Sequence, residues 1–475
     1  MTTTVSQLLA ALPDEEHAER TLREDPRFRR LYEELAGRPV PVGAFSRLWV
    51  LSGLQAQIAM AYLFHWVRGW FASADEQERR RLETHLEVAL KLLETMGYLR
   101  GAVLKAGQTI ANFRDLVPDE IVDTLSRLHF EAPPMHFSLL REQVHSELNG
   151  DPEEIFASFD TTPFAAASLG QVHRARLKTG EDVAVKIQYP GIGRTIRADM
   201  RNILTLLAPF RLSKDFENGK QQLQTLFHAL ELETDYEQEA RTTETARALF
   251  SEDDGVIVPR VHREYSTRRI LTLEFVEGLH LEQFLKTNPT QETCDQYAER
   301  IMRAWYRLLF RKRMNYIDFH PGNFLFRDDG QLGLIDFGCV HESNDAEWEF
   351  TRRADRIMQT RDRAELAAFV RDWCQIGDDP RHDDWLKLAV EYAEIVWAGR
   401  LTDGPWNCAS PEPLRRAVEI FGELTRKRYT RGQRATSLIN RQTLGSMALF
   451  HRLAARFDVH PIRDEEVQAT GWDHL

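Results

Sequence analysis

The sequence predicts an α+β fold, a small antiparallel sheet followed by a largely helical remainder, on three observations. Between Ile155 and Ile187, and again from Val258 to Phe275, short apolar runs are separated by turn-forming residues, as strands are. Phe324-Leu-Phe326 and Leu332-Gly-Leu-Ile335 flank Arg327-Asp-Asp-Gly330, the pattern of two short strands around a tight turn. Leu281 to Asn315, and most of the chain beyond Asn344, read instead as helices.

Composition bounds what such a chain does. Its 475 residues hold two to four domain-sized units, and 43% hydrophobic with 28% charged residues is ordinary for a globular protein. Lys+Arg 61 against Asp+Glu 73 gives a net charge of −12, which argues against nucleic acid as the main partner. The four cysteines, Cys294, Cys339, Cys374 and Cys408, form no C-x-x-C pair, so a reducing compartment without structural zinc is expected. The opening Met-Thr-Thr-Thr-Val-Ser has neither a basic nor an apolar leader region, and Asp14, Glu15 and Glu16 disfavour a transit peptide. A cytoplasmic protein is expected, with contact at the periphery of a membrane left open. That option rests on Leu48 to Phe64, an uncharged stretch among Trp49, Tyr62, Trp66 and Trp70. It is short for a span of about 20 residues and contains Gln55 and Gln57, so a buried or membrane-surface helix is the expectation.

Residues up to about Arg38 are charged and helical in pattern. From Leu82 to Asn112 apolar residues recur at threes and fours, and within this helix lies Leu104-Lys-Ala-Gly-Gln-Thr109. Lys105 and Gln108 share one face, and the small Ala106 and Gly107 between them would let another backbone approach. Taken alone, the pair reads as solvated. Leu116-Val-Pro-Asp-Glu120 starts a new helix, with Pro118 in its first turn.

The first sheet follows. From Ile155 a strand leads into Phe164-Ala-Ala-Ala-Ser-Leu-Gly-Gln-Val-His173, a small-residue loop entering a second strand, with a turn at Thr179-Gly180 and a third strand that carries Val183-Ala-Val-Lys186. That lysine has the form of the one that pairs the α- and β-phosphates in protein kinases. Where kinases carry a glycine-rich loop, Ala165, Ala166 and Ala167 precede Ser168, and only Gly170 remains. Alanine resists positive φ, so a stiffer loop is expected.

Glu231 to Arg241 is an acid-rich helix in which Asp235 and Glu239, four apart, would share a face and need a cation opposite. Lys186 and Lys105 are the candidates; the partner of Glu233 is open, and a solvated acidic face remains the alternative. Val261-His-Arg-Glu-Tyr and Arg269 to Phe275 read as two strands, and Glu274-Phe-Val-Glu-Gly278 as an extended linker. Tyr316-Ile-Asp-Phe-His-Pro-Gly-Asn323 then sets Asp318 and Asn323 five apart, and Asp336-Phe-Gly338 closes the hairpin. An acid, an amide and a second acid so arranged match the kinase set: an Asp by the acceptor, with Asn and Asp on Mg²⁺. Asn344 with Glu347 reads as the capped start of a helix, and Asp403-Gly-Pro-Trp406 as a loop.

Together these motifs resemble the UbiB (AarF) family of atypical, protein-kinase-like proteins over roughly residues 85 to 345. The resemblance rests on Lys105 to Gln108 (Lys-x-Gly-Gln), the alanine-rich loop, Glu233-x-Asp235 with Glu239, and the Asp318/Asn323/Asp336 set. It implies a two-lobed kinase-like fold with an antiparallel-sheet N-lobe (161–277) and a helical C-lobe (278–475). Ahead of these come a helical extension carrying Lys-x-Gly-Gln (76–160) and an N-terminal helical region (1–75). The implied cofactors are ATP and Mg²⁺, bound between the lobes. Lys186 would lie on the phosphates and pair with Glu239, while Asn323 and Asp336 hold metal. Ala165 to Ser168 would cover the phosphates, and Glu274 and Val276 would lie at the adenine edge. Asp318 would orient the attacking group, in a pocket capped by Lys105 and Gln108 on Glu233 and Asp235.

Two departures qualify the likeness. Tyr316-Ile317 replaces the His-Arg that usually precedes the catalytic Asp, and no Ala-Pro-Glu follows Asp336-Phe-Gly338. A conventional protein substrate is therefore disfavoured. The implied activity is an ATPase supporting isoprenoid-quinone or related lipid metabolism, with a lipid or quinone precursor as the implied partner. The alternatives are a phosphotransferase acting on a small molecule, lipid or protein, and a nucleotide-binding scaffold with little turnover.

Overall fold

The structure, a computed structural model, describes residues 135–167, 169–193, 196, 234–376, 382–426 and 434–470. The chain divides into two units, Met1–Tyr236 with Arg263–Thr272, and Glu237–His262 with Leu273–Leu475. The Leu48 to Phe64 stretch and the segment around Lys105, expected as a helix, lie outside the described residues.

The first unit begins, as described, with α1 (Ser138–Leu148) and the short α2 (Pro152–Ile155). Strands β1 (Ser158–Phe159), β2 (Ala165–Ala167), β3 (Gly170–Arg176) and β4 (Asp182–Gln188) follow. After α3 (Tyr236–Arg247) and β5 (Val256–Ile257), which but for Tyr236 belong to the second unit, β6 (Ile270–Glu274) completes a sheet of order β1-β3-β4-β6, with β2 also paired to β3. Alternation explains β4: Val183, Val185 and Ile187 are fully buried, and Ala184 and Lys186 fall on the other face. The same alternation carries β3, whose pairing with β4 runs from Gly170↔Gln188 to Arg176↔Asp182 and is closed by Gly180 at φ 97°. Phe156, Leu140 and Val144 complete this core with Ile270.

The three alanines, expected as a loop, are a strand. Ala165, Ala166 and Ala167 pair with Val172, Gln171 and Gly170. Gly170 is demanded by close approach, since a Cβ there would stand 2.2 Å from the Ile187 carbonyl oxygen.

Val261 to Tyr265 is not the expected strand. Val261 makes one bridge to Leu273, and Arg263–Tyr265 curls into a 3₁₀ turn. The hydroxyls explain the turn: Thr272 N donates to Ser266 Oγ (3.0 Å), and Thr272 Oγ1 donates to the Tyr265 carbonyl (2.6 Å).

In the second unit the helix expected from Leu281 to Asn315 is broken into α4 (Leu281–Lys286) and α5 (Gln291–Lys312). Asn288 is left-handed at φ 54°, Pro289 follows, and the Thr290 side chain accepts from Thr293 N to cap α5. Next come β7 (Met314–Tyr316), β8 (Phe324–Phe326), β9 (Leu332–Leu334) and β10 (Val340–Glu342). The β8–β9 hairpin forms as expected, and β5 joins it parallel to β9. Asn344 caps α6 (Asp345–Thr360) in a capping box with Glu347.

Helices α7 (Arg363–Trp373), α8 (Asp383–Val396) and α9 (Ala398–Leu401) follow. Then come β11 (Trp406–Asn407), α10 (Glu412–Arg426), α11 (Arg434–Arg452), β12 (Arg456–Phe457) and α12 (Val459–Gln468). The β11–β12 pair had no signal in the sequence. One core gathers α5, the β8–β9 hairpin and α12 around Tyr297, Ile301, Phe326 and Ile462. Beside it, Glu466 is fully buried between Arg307 and Arg311, and Arg307 also meets Asp254. No described helix is long and apolar enough to cross a membrane.

Candidate active site

The site is assembled on the β7–β8 connection of the second unit. Apolar anchors hold this loop: Ile317 and Phe319 are buried, and the Phe319 ring meets Tyr316 and Trp305 edge-on. Ile317 N donates to the Cys339 carbonyl (3.2 Å), tying the loop to the residue after Asp336-Phe-Gly338. Asp318, between the two anchors, keeps 30% of its side-chain exposure. Pro321–Asn323 forms a 3₁₀ turn with His320 as cap, its Nδ1 accepting from Gly322 N. The turn swings Asn323 back, and its Nδ2 donates to the Asp318 carbonyl at 2.9 Å.

The hairpin then returns the chain. Ile335 N donates to the Asn323 carbonyl (3.1 Å), and Gly338 N to Asp336 Oδ1 (2.9 Å). The Tyr316 hydroxyl donates to the Asp336 carbonyl (3.0 Å). Burial first, and then the Asp336 and Asp318 carboxylates, pushes the Tyr316 phenol well above its ordinary range, so it stays a donor. Glu239, buried on α3, reaches the same place: a Cβ on Gly338 would stand 3.2 Å from its Oε2 and 3.3 Å from Asp336 Oδ1. Asp318, Asn323, Asp336 and Glu239 therefore lie together within the second unit.

The extended linker also belongs to this unit. Glu274 Oε2 accepts from Arg260 N at 3.0 Å, and the Glu277 carbonyl accepts from Arg327 Nη1 at 2.8 Å. Val276 packs on β9, where a Cβ on Gly333 would meet its Cγ1 at 3.1 Å.

Lys186 belongs to the first unit, where its Nζ stands 5.1 Å from the centre of the Tyr236 ring. Asp235 precedes α3 and is not on it, so the face it was expected to share with Glu239 does not exist. It faces Arg268, 3.9 Å away. Lys105, Gln108, Ser168 and Glu233 lie outside the described residues. A cavity of about 350 Å³ in the first unit, bordered by Tyr189, Thr234 and Arg268, is lined by none of the expected site residues that are described.

One contact has no motif behind it. Arg441 on α11 places Nη2 3.0 Å from Asp318 Oδ2. Its neighbour Gln442 donates to the Tyr316 carbonyl at 2.8 Å, and Gly445 lies against Phe319. The two charges are 123 positions apart (441 − 318), and no local pattern links them.

The ABC1 atypical kinase-like domain matches residues 127–368, just over half of the chain. The chain belongs to the ABC1, or UbiB/AarF, family of atypical kinase-like proteins. Its α+β fold is kinase-like. An AarF domain-containing kinase 1 from Drosophila melanogaster is 33% identical over 58% of this chain and 54% of its own length. The chain thus spans about half of that relative. The mitochondrial atypical kinase COQ8B of Rattus norvegicus is 29% identical over 92% of this chain and 83% of its own length. Among solved structures, the Rv3197–erythromycin complex from Mycobacterium tuberculosis aligns over 85% of this chain and all of that one. Its TM-score of 0.53 and 22% identity show a shared fold. Lys186, Glu239, Asp318, Asn323 and Asp336 fall inside the matched domain; Lys105 and Gln108 precede it, and Arg441 follows it.

Proposed function

We infer that this family member is an atypical kinase-like ATPase that binds Mg-ATP and serves isoprenoid-quinone (ubiquinone-type) or related lipid metabolism. The observation that carries the reading is that one hairpin brings Asp318, Asn323 and Asp336 together: the Asn323 amide donates to the Asp318 carbonyl, and the Asn323 carbonyl accepts from Ile335 N, the residue before Asp336. A carboxylate and an amide offer the oxygen donors that suit Mg²⁺, which is commonly held by one or two carboxylates together with nucleotide phosphates. When bound, the ion would neutralise charge on the phosphates.

Asn323 and Asp336 are its proposed ligands. Lys186 is the proposed contact to the phosphates, with Glu239 as its partner and Ala165 to Ser168 over them. The backbone of Glu274 and Val276 is the proposed adenine edge. Asp318 orients the attacking water or acceptor hydroxyl and takes its proton. Lys105 and Gln108, with Glu233 and Asp235, are proposed to narrow the acceptor side, which favours water or a small acceptor over a protein hydroxyl. The organisation into segments 1–75, 76–160, 161–277 and 278–475 belongs to the same proposal, as does peripheral membrane contact.

The test is ATP turnover of the full chain, with and without anionic liposomes and small phenols that mimic quinone precursors. Stimulated release of inorganic phosphate, abolished in Asp336→Asn, is the expected result. Label transferred to an added lipid, small molecule or protein would make the chain a phosphotransferase instead. Turnover undiminished in Asp336→Asn would overturn the metal assignment.

A further inference from the structure

We propose that Arg441 is a positioning residue for phosphoryl transfer, a cation that α11 supplies to Asp318 from outside the matched kinase-like domain. The proposal rests on the reading of Asp318 given above. Its physical basis is a mismatch within the loop. The loop's own residues, Asp318-Phe-His-Pro-Gly-Asn323, include no lysine or arginine, and Tyr316-Ile317 ahead of them are uncharged. A carboxylate that must accept a proton from a water or hydroxyl is effective only when its direction is held. Two side-chain torsions leave Asp318 free to turn unless something outside the loop fixes it.

Arg441 meets that need. Its guanidinium lies 3.0 Å from Asp318 Oδ2 and presents the planar fork that orients a carboxylate. Its backbone is seated independently of the ion pair. Gln442 donates to the Tyr316 carbonyl, and Gly445 leaves room for α11 to lie on Phe319. The side chains retain 38% and 30% exposure, so the pair is open to solvent and to an acceptor. An ion pair this exposed adds little to stability. Its contribution is to orientation and to positive charge beside the transferring group.

The experiment compares the full chain with Arg441→Gln, Arg441→Lys, Asp318→Asn and the double variant Asp318→Asn/Arg441→Gln. It reads Mg-ADP affinity, melting temperature, and kcat and KM for ATP. Arg441→Gln is expected to lower kcat about 10- to 100-fold with nucleotide affinity and KM nearly unchanged. Its melting temperature should move by no more than about 4 °C. Arg441→Lys should recover part of the loss, and in the double variant the Arg441 change should remove nothing beyond the Asp318 change. Undiminished kcat in Arg441→Gln overturns the proposal. So do losses that multiply in the double variant, or a loss of nucleotide affinity and folding shared by the lysine variant. A wild-type chain that neither binds Mg-ADP nor turns over ATP overturns the ATPase reading itself, an outcome distinct from these.

Discussion

The Asn323 amide donates to the backbone carbonyl of Asp318 across a single 3₁₀ turn, at 2.9 Å. One side chain thereby joins the proposed metal ligand to the residue proposed to handle the acceptor. A change at Asn323 should therefore register on both sides of the reaction.

Asn323→Ala removes this donor and a proposed metal oxygen together. The Mg²⁺ concentration for half-maximal turnover should rise about 10-fold or more. Stability should fall by only about 1 kcal/mol, the net worth of one hydrogen bond. Asn323→Asp retains an oxygen ligand but sets a carboxylate against the Asp318 carbonyl, so it should not recover wild-type turnover. Mg²⁺ titrations of phosphate release, alongside thermal melts, separate the two effects.

Gly170→Ala should be among the most damaging single-methyl changes in the chain. The new Cβ would meet the Ile187 carbonyl oxygen at 2.2 Å, and the obstacle is backbone that cannot rotate away. A loss of about 3 kcal/mol or more is expected from forcing β3 and β4 apart. At Gly180 nothing lies within 4 Å of an added Cβ, and only the φ of 97° opposes it. Gly180→Ala should cost about 1 kcal/mol. Urea titrations of both variants should rank them in this order; equal costs would contradict the close approach of the two strands.

These elements differ in how far sequence could announce them. The alternation of Val183, Val185 and Ile187 marks β4 because burial on one sheet face repeats every second residue. Asn344 with Glu347 marks the start of α6 because the capping partners are three residues apart. The Asp318, Asn323 and Asp336 spacing is legible for the same reason, since one hairpin joins all three. Arg441 is a different case. Its approach to Asp318 depends on α11 reaching a loop 123 positions earlier, and an arginine on a helix looks the same whether it meets solvent or a carboxylate. Asp235 failed in the opposite direction. Its spacing from Glu239 was helical, but the helix starts one residue too late to include it.

Glu466→Gln tests the second unit away from the site. Glu466 is fully buried, its Oε1 2.9 Å from Arg307 and its Oε2 2.6 Å from Arg311. A neutral amide would leave Arg311 without this carboxylate and, among the described residues, Arg307 with Asp254. Removing one partner of such a buried network should cost about 3–5 kcal/mol. Chemical denaturation measures it, and a loss well under this range would mean that water reaches the arginines.

His173 should make the first unit sensitive to mild acid. It is buried on β3, with Nδ1 2.8 Å from the Asp160 carbonyl and Nε2 2.9 Å from Gln171 Nε2. The carbonyl can only accept, so Nδ1 carries the proton and Nε2 accepts from the amide. Protonating Nε2 would turn that hydrogen bond into two opposed donors. Burial is the main cause that lowers the His173 pKa from its ordinary 6.5, and the Asp160 carbonyl opposes it only in part. The unfolded chain therefore takes up a proton near pH 6.5 that the folded chain still refuses. Stability is full above that pH and declines as pH falls below it, towards the lower pKa of the folded state. Melts between pH 7.5 and about pH 5 should show this decline, and His173→Gln, which retains polar partners without titrating, should flatten part of it. An identical acid slope in both proteins would assign the sensitivity to other groups.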